Sequence, residues 1–599
     1  MRIAFTLAVC LLLFASIRPG VGADLGTALV RGAGDDCLGY VRIENPKSFL
    51  GKLDAVTGKF GSRASDDLPL FAQRYLKNPL LNGIEMTRPW TFVFLNPQRH
   101  ANNLAVVVGV NDAALFYDSF GKGGVSNVKP DPAVAVAAIH HFTEDEEVYD
   151  HQAYLAAVRA GQKVEPLQFR KQITKHYYVT VRDGQGMIVD DVKLMNESGM
   201  TVSTPGSAAV GGDIVAALRA PAVLSLYEDD LRRQKESILA AIGSATAGDA
   251  ASRAVKKLAA EFDAAVNFFK HIAWLEAGAE LDGGRLKLRI AAPPLAGSAF
   301  SRALAGQQPL DADAQLLSLM PADAAMLGTM HFAQTPEWTA FLLELMRPVI
   351  EASAKNSSES SAKVQEVSRA TWEAGGGAFA AAVLAPATNQ IVPDGVEVVR
   401  VPDAARARRA QRTAVEAGLP VFRTAVQPES CGRMKYEPNV ARYAGVGIDR
   451  VTMDLGTPGD PIFGTNFVQE IAFAGGFELI AQGPHCTNNI RRLIIAATTP
   501  SGPDAQGFKA GTASFPKKQN GIFYLNLAEY IGQIRNTEPA ADDAQLRHLQ
   551  TLLAEAKADL MGYLVLDPHA AVFELNVPLD KLIDVFIKNN AAPAALVAP

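Results

Sequence analysis

Hydrophobic and polar positions follow the same order twice along the chain. CLGYVRI at 37–43 has the pattern of a short strand, and MLGTMHF at 326–332 repeats it in the second half of the chain. Each run leads into the same helix-start pattern, a capping side chain followed by proline, at Asn45 and again at Thr335. The two stretches therefore predict the same strand and helix, in the same order.

A second correspondence lies further along each half. The segment VVGVNDA at 107–113 resembles VVRVPDA at 398–404, with five of the seven positions identical. Asp112 and Asp403 occupy the same place in the two segments, and their separation along the chain is nearly that of Asn45 and Thr335. This near-constant spacing favours an internal repeat over a chance match of apolar runs.

The two halves also close in the same way, with an amphipathic helix, a hairpin and a proline. The turns at Asp282 and Asp567 have the same separation along the chain as the strand-ending Pro293 and Pro578. Apolar side chains at spacings of three and four predict the two helices: Val255, Leu258, Phe262, Val266 and Phe269, then Leu546, Leu549, Leu553, Ala556 and Leu560. Duplication is the interpretation; two unrelated α+β domains are the alternative.

The predicted fold class is α+β, as two tandem copies of one module with antiparallel hairpins and packed helices. We expect the first copy at 24–300 and the second at 310–588, with an irregular boundary at 294–320 and a disordered tail at 589–599. A further hairpin is predicted within 177–189. No G-x-G-x-x-G turn accompanies a strand–helix unit, so a nucleotide-binding fold has no support.

Residues 1–23 have the pattern of a secretory signal peptide. Arg2 supplies a positive start, Ile3 to Ile17 form an apolar run, and small residues precede a cleavage site after Ala23. The alternative is an uncleaved anchor, although the run is short for a membrane span. We expect an exported protein, periplasmic or extracellular, without a membrane span in its mature part.

Length, charge and cysteine content narrow the class of protein. A chain of 599 residues exceeds the ~250–300 at which single cores stop growing, which favours two domains. A net charge of −6 lacks the basic excess of a nucleic-acid groove, so nucleic-acid binding is not expected. Beyond the signal peptide stand Cys37, Cys431 and Cys486, without a C-x-x-C pair. The hypothesis is a Cys431–Cys486 bridge with Cys37 buried and reduced.

One polar cluster is a candidate metal site. His140, His141, Glu144 and His151 place imidazoles near carboxylates, and His141 with Glu144 has helical i, i+3 spacing. The competing interpretation is a solvated run of carboxylates, because such runs usually face water. The second half contains nothing comparable.

No catalytic motif stands out. The chain lacks H-E-x-x-H, G-x-S-x-G and phosphate-loop patterns, and no cofactor is implied. His485 and Cys486 suggest a Cys/His nucleophile, but neighbouring residues on a strand would point to opposite faces. Apolar surroundings assign packing roles to His176, His271 and His331. No catalytic residue is therefore predicted.

The repeated strands and the proline-closed hairpins resemble those of uncharacterised secreted bacterial proteins built from a duplicated α+β unit. This resemblance implies export and duplication, and it implies no activity. The expected function is that of an exported, non-catalytic envelope or secreted protein that binds an unknown partner or ligand. The alternative is an extracytoplasmic hydrolase, with or without a metal ion, which would need convergent titratable groups.

Overall fold

The computed structural model places the chain in two compact units. It describes residues 36–100, 103–120, 128–130, 139–149, 153, 157, 166–192, 194, 210–245, 249–310, 314–348, 361–385, 393–417, 434–454, 466–499, 516–537 and 543–591. The N-terminal unit comprises the described residues of Arg18–Val223 with Leu275–Leu281. The C-terminal unit comprises those of Leu224–Trp274 and Asp282–Pro599. The predicted signal peptide and His151 lie outside the described residues.

The N-terminal unit is an antiparallel sheet with short helices. Its elements are β1 (Cys37–Ile43), α1 (Pro46–Thr57), α2 (Leu68–Phe71), β2 (Trp90–Leu95), β3 (Leu104–Gly109), α3 (Ala113–Asp118), β4 (Val128–Pro130), β5 (His140–Tyr149), β6 (Arg170–Arg182), β7 (Gln185–Val189) and β8 (Ile214–Arg219). The strands pair in the order β4-β5-β6-β7-β3-β2-β1-β8, each antiparallel to its neighbours.

Local sequence signals set the edges of these elements. The Asn45 side chain accepts a hydrogen bond from the Ser48 amide at 3.0 Å and starts α1, with Pro46 at the first helical position. Asp112 caps α3 in the same way. The β6–β7 turn uses Asp183 and Gly184, both with positive φ, so the predicted hairpin is confirmed.

Both faces of the central strands of this unit are buried. All of β2 is buried, and so is all of β3 except Leu104. The largest core side chains are aromatic or long aliphatic: Leu76, Trp90, Phe92, Phe116, Phe120 and Phe142.

Two helices and one strand follow in the chain, α4 (Ala220–Ala245), α5 (Asp249–Phe269) and β9 (Trp274–Asp282). The remaining elements are β10 (Arg285–Ala292), α6 (Ala299–Ala305), α7 (Ala314–Leu319), β11 (Ala324–His331), α8 (Pro336–Leu345), α9 (Ser361–Ala374), β12 (Ala378–Leu384), β13 (Gly395–Arg400), α10 (Ala404–Glu416), β14 (Met434–Tyr443), β15 (Val446–Asp454), β16 (Asn466–Ala474), β17 (Phe477–Gln482), α11 (Cys486–Thr498), β18 (Gly521–Asn526), α12 (Leu527–Thr537), α13 (Asp543–Ala556), β19 (Asp559–Leu566), β20 (Ala571–Val577) and α14 (Leu579–Ala591).

The C-terminal unit contains a larger antiparallel sheet. Its strands pair in the order β14-β15-β16-β17-β13-β12-β11-β18-β19-β20-β10. α11 packs on one face of β13, β16 and β17 through Ile490, Leu493 and Ile494. Val415 of α10 packs against the opposite face, beside Ile471 and others. The sheet is therefore covered on both faces at its centre.

Strands β10 and β20 pair with a particular register. Leu286 lies opposite Val577, Ala292 lies opposite Ala571, and Arg289 lies opposite Glu574. The guanidinium Nε of Arg289 is 2.5 Å from Glu574 Oε2. The pairing is therefore centred on this ion pair.

The antiparallel α+β class is confirmed, and the segment 294–320, expected as the boundary between the copies, contains α6 and α7. One predicted helix is shorter than expected. The stripe predicted to reach Leu560 ends with α13 at Ala556, because Lys557 takes a left-handed φ of 50° and Leu560 begins β19.

The predictions for the cysteines and for the end of the chain have separate outcomes. Cys37 and Cys486 are both buried free thiols, so Cys37 is as predicted and Cys486 does not form the hypothesised bridge; Cys431 lies outside the described residues. α14 extends to Ala591, into the tail expected to be disordered.

In the described part of the chain, no helix combines the length and apolar character needed to cross a membrane.

Candidate functional site

The predicted metal ligands lie on a strand instead of a helix. His140, His141 and Glu144 all belong to β5, and side chains alternate along a strand, so His140 and Glu144 share one face while His141 points to the other. The interpretation that His141 and Glu144 share one face of a helix is therefore wrong. His151 lies outside the described residues, and among those that are described no three His, Cys, Asp or Glu side chains converge as metal ligands.

Glu144 is buried in an ion pair. Lys77 Nζ lies 2.8 Å from Glu144 Oε2 and 3.0 Å from Oε1, and the Tyr177 hydroxyl donates to Oε2 at 2.6 Å. Burial alone would raise the pKa of Glu144, but the hydrogen bonds from Lys77 and Tyr177 outweigh it and hold the pKa below its usual range. The carboxylate is therefore ionised and already has its cation.

The backbone that presents Lys77 is specialised for the task. A π-helical turn at Ala72–Leu76 continues α2, and Lys77 ends it with a left-handed φ of 55°. The ammonium group also lies 5.6 Å from the centre of the Tyr177 ring. The turn therefore fixes the ammonium against both partners on the sheet.

His140 serves as a packing surface. Its imidazole stacks on Tyr117 of α3, with ring centres 3.9 Å apart and an angle of 27°. The Tyr117 hydroxyl accepts a hydrogen bond from the Val181 amide at 2.8 Å. His140 and Tyr117 thus attach α3 to strands β5 and β6.

His141 meets a histidine that the sequence assigned to packing. His141 Nε2 and His176 Nδ1 are 3.1 Å apart, and the two rings differ by 9° in orientation. Tyr178 stacks against the His141 ring at 4.7 Å. His141 is buried, whereas His176 is exposed, which corrects the expected packed environment of His176.

The strand pairing around these histidines has a parallel in the C-terminal unit. Stepping across the strand pairs from Val106 of β3 through β7 and β6 reaches His140. The same steps from Glu397 of β13 through β17 and β16 reach Asp449. Asp449 therefore lies as many strand steps from Glu397 as His140 lies from Val106, and Arg450 follows Asp449 as His141 follows His140.

Asp449 holds α10 against the sheet. The carboxylate is fully buried and accepts hydrogen bonds from the Tyr436 hydroxyl at 2.5 Å and the Asn439 amide at 2.9 Å. Its Oδ2 is also 2.9 Å from Arg408 Nε. Arg408 stands five residues after the helix-capping Asp403, as Tyr117 stands five residues after Asp112. The helix–strand contact is the same, although its chemistry differs.

Arg450 belongs to a second ion pair, in which Glu470 is buried and Arg450 is partly exposed. Its Nη2 is 2.6 Å from Glu470 Oε1, which also accepts from the Thr487 hydroxyl at 3.0 Å. Cys486 lies beside this group, and burial raises the pKa of the thiol to about 11. Cys486 is therefore a protonated packing residue at neutral pH and not a nucleophile.

His485 is not on a strand, contrary to the sequence interpretation. It precedes the first turn of α11, and Gly483 before it takes a φ of 97°. Asp394 holds it with both oxygens: Oδ1 accepts the His485 amide at 2.9 Å, and Oδ2 lies 2.8 Å from Nδ1. The imidazole is half exposed while Asp394 is buried. An Nδ1–carboxylate contact with an exposed ring suits a general base.

A third histidine cluster has no signal in the sequence. His100 is buried, with Nδ1 3.2 Å from Asp190 and Nε2 3.3 Å from Asp36. The hydrogen bond to Asp190 raises the pKa of His100 above its usual range, although burial opposes the shift. The three residues are far apart in sequence, so only the fold brings them together.

A small cleft of about 260 Å³ opens beside β11 and β18. Its lining includes His331, Gln519 and Asn520. Asn520 is buried, and its side chain forms hydrogen bonds with backbone groups. Its Nδ2 donates to the carbonyl oxygens of Gln308 and His331, and its Oδ1 accepts a hydrogen bond from the Leu566 amide. The Asn520 side chain in this cleft thus serves the fold.

Comparison with protein-family models, with curated proteins and with solved structures found no match for this chain.

Proposed function

We propose that the chain is an exported, non-catalytic envelope or secreted protein that binds a partner or ligand, built from two copies of one α+β module at 24–300 and 310–588. The observation that supports this proposal best concerns polar side chains at corresponding positions of the two copies. They make the same contact between a helix and a strand, although the residue types differ. His140 on Tyr117 and Asp449 with Arg408 each attach the helix after a capping aspartate to its strand. These residues serve the fold.

The order of strand pairing supports the duplication. β1 pairs with β2 and β8, β2 with β3, and β3 with β7. In the C-terminal unit β11 pairs with β12 and β18, β12 with β13, and β13 with β17. The helix caps Asn45 and Thr335 also follow the first strand of each set. Shared pairing order with shared caps is the pattern expected of two copies.

The β10–β20 pair gives independent support. Arg289 and Glu574 have the same separation along the chain as the hairpin turns at Asp282 and Asp567, which makes Glu574 the counterpart of Arg289. These two counterparts lie opposite each other in the antiparallel register. The pair therefore has a local two-fold axis through this position, as expected where corresponding strands of two like modules meet.

A specific observation favours the alternative of an extracytoplasmic hydrolase. The Asp394–His485 pair has the geometry of an oriented general base, with its imidazole half exposed. A hydrolase additionally needs a nucleophile or activated water at the imidazole. The adjacent thiol of Cys486 does not supply one, because its pKa is raised. Binding is therefore the function that the described residues support better.

The two functions are separated by one assay with two readouts. Mature protein beginning at Asp24 is mixed with isolated cell envelopes, and both the sedimented protein and the soluble sugar and peptide fragments are measured. We expect labelled protein to sediment with the envelopes in a saturable way and to be displaced by an excess of unlabelled protein. The amount of released fragments should equal that of envelopes in buffer alone. His485→Ala should leave sedimentation unchanged.

Fragment release that His485→Ala abolishes would establish the hydrolase in place of the binding protein. Protein that neither sediments nor releases fragments would contradict the binding function. His569→Ala is the matched control, since His569 is an exposed histidine in the β19–β20 turn.

A further inference from the structure

We propose that His141 and His176 form a two-histidine site for a divalent transition-metal ion such as Zn²⁺, with water completing the coordination. This site differs from the one that the sequence suggests, because it joins His141 to a residue 35 positions away and omits His140 and Glu144. It goes beyond the proposed binding function and does not depend on the duplication.

The strand register brings the two rings together. His141 of β5 lies opposite Tyr178 of β6, and Thr143 lies opposite His176. His141 and His176 are therefore diagonal neighbours on one face of the β5–β6 ribbon, within reach of each other's side chains. The Tyr178 ring also stacks on the His141 ring, with ring centres 4.7 Å apart. One ligand is thus held by packing before any ion arrives.

The nitrogen separation suits a shared ion. Zn–N bonds of about 2.0–2.1 Å in tetrahedral geometry place two ligand nitrogens about 3.3 Å apart. His141 Nε2 and His176 Nδ1 are 3.1 Å apart. An ion would replace this hydrogen bond, and rotation of both rings would then direct the two lone pairs to it. Imidazole nitrogen is a preferred ligand of Zn²⁺, Cu²⁺ and Ni²⁺.

The hydrogen bond between the two rings constrains where their protons lie. A hydrogen bond between two imidazoles needs one nitrogen as acceptor, so at least one ring is neutral. Two neutral rings bind the ion through Nε2 of His141 and Nδ1 of His176, and each keeps its proton on the other ring nitrogen.

The surroundings leave a path for the ion. His176 is exposed, so an ion and its waters can enter from solvent. Asp145 follows on the same face of β5, exposed and accepting the Thr174 hydroxyl at 2.8 Å, and it adds negative charge nearby. Lys77 and Glu144 lie on the opposite face of the ribbon and neutralise each other there.

The test is Zn²⁺ binding to the full mature chain after treatment with EDTA, measured by calorimetry at pH 7.5. We expect one strong class of site. His176→Gln should abolish it, while His140→Gln, a neighbour on the opposite face of the strand, should keep it. Because His176 is exposed, its variant tests the site without disturbing the core.

Thermal unfolding gives a second readout. Zn²⁺ should raise the unfolding midpoint of the wild type and of His140→Gln, and leave that of His176→Gln unchanged. Wild-type protein without a strong site, or His176→Gln that binds as well as the wild type, would overturn the proposal. Loss of binding in His140→Gln would assign the ion to the other face and equally overturn it.

Discussion

His100 is the clearest case of a single side chain whose charge depends on the fold. The imidazole is buried between Asp36 and Asp190, and its pKa is raised by those contacts. A raised folded-state pKa means that the proton is bound more tightly in the native protein than in the unfolded chain. The contribution to stability is therefore complete below the unfolded value of about 6.5 and is lost as pH rises through the folded value.

We expect His100→Gln to destabilise the protein by about 1.5–3 kcal/mol at pH 5.5, the usual contribution of charged hydrogen bonds. The loss should shrink as pH rises toward 9, because the wild-type histidine then becomes neutral. Urea unfolding at several pH values measures the difference. His569→Gln, in an exposed turn, is the control, and a His100→Gln loss that is independent of pH would contradict the charged state.

The two buried thiols allow a prediction at the same scale. Burial raises the pKa of Cys37 to about 12 and that of Cys486 to about 11. Thiolate is the reactive form, so both should resist alkylation in the native protein at pH 8. After unfolding without reductant, mass spectrometry should find both residues alkylated. A disulfide-linked peptide containing Cys486 would contradict the free thiol.

Among the elements, the polar strand β5 shows how far sequence patterns reach. Its run of histidines and carboxylates has the composition of a solvated loop, yet it pairs with β6 along its whole length and with β4 from Phe142 to Glu144. Phe142 and Glu144 face the core because Phe120 and Lys77 receive them there. Those partners come from elsewhere in the chain, so the composition of the strand alone does not reveal them.

Where the signal is local, prediction succeeds. Asn45 with Pro46 and Thr335 with Pro336 predict two helix starts that the structure confirms. The caps need only neighbouring residues, whereas the contact of His141 with His176 depends on the register of two long strands. The fold class was therefore readable from the sequence, and the histidine pairs of the candidate sites were not.

The two caps give a matched prediction. Asn45 accepts the Ser48 amide at 3.0 Å, and Thr335 accepts the Trp338 amide at 3.1 Å. We expect Asn45→Ala and Thr335→Ala each to lower the free energy of unfolding by about 1 kcal/mol, because each leaves a helix-start amide without its acceptor. Denaturant unfolding measures both. Serine at either position should restore most of the loss, and failure of that rescue would contradict a capping role.

The ion pair between α2 and β5 can be tested by a double-mutant cycle. Lys77→Met leaves the buried Glu144 carboxylate without its cation, and we expect a loss of about 3 kcal/mol. Adding Glu144→Gln should recover much of it, since no uncompensated charge then remains. Urea unfolding at pH 7 measures the cycle. Additive losses would show that the two side chains do not interact.

At the scale of the whole molecule, export and duplication are the expectations that matter most for function. The segment 1–23 predicts removal of a signal peptide, and we expect the mature chain to begin at Asp24 when the protein is produced in a bacterium with a secretory pathway. N-terminal sequencing of the exported fraction measures this. Substituting Ala23 with a bulky residue should block cleavage, and mature protein that retains Met1 would contradict export by this route.

The ion pair at the centre of the β10–β20 register bears on how such a chain could have evolved. When two separate identical chains meet at a two-fold axis, the residue on the axis faces its own copy, so an arginine must meet an arginine and a glutamate a glutamate. Arg289 meets Glu574. If the modules arose as copies, opposite charges became possible at this position only after both were encoded in one gene and could mutate separately. The salt bridge would then be younger than the fusion, and a one-module ancestor that dimerised through this strand would have carried an uncharged residue there.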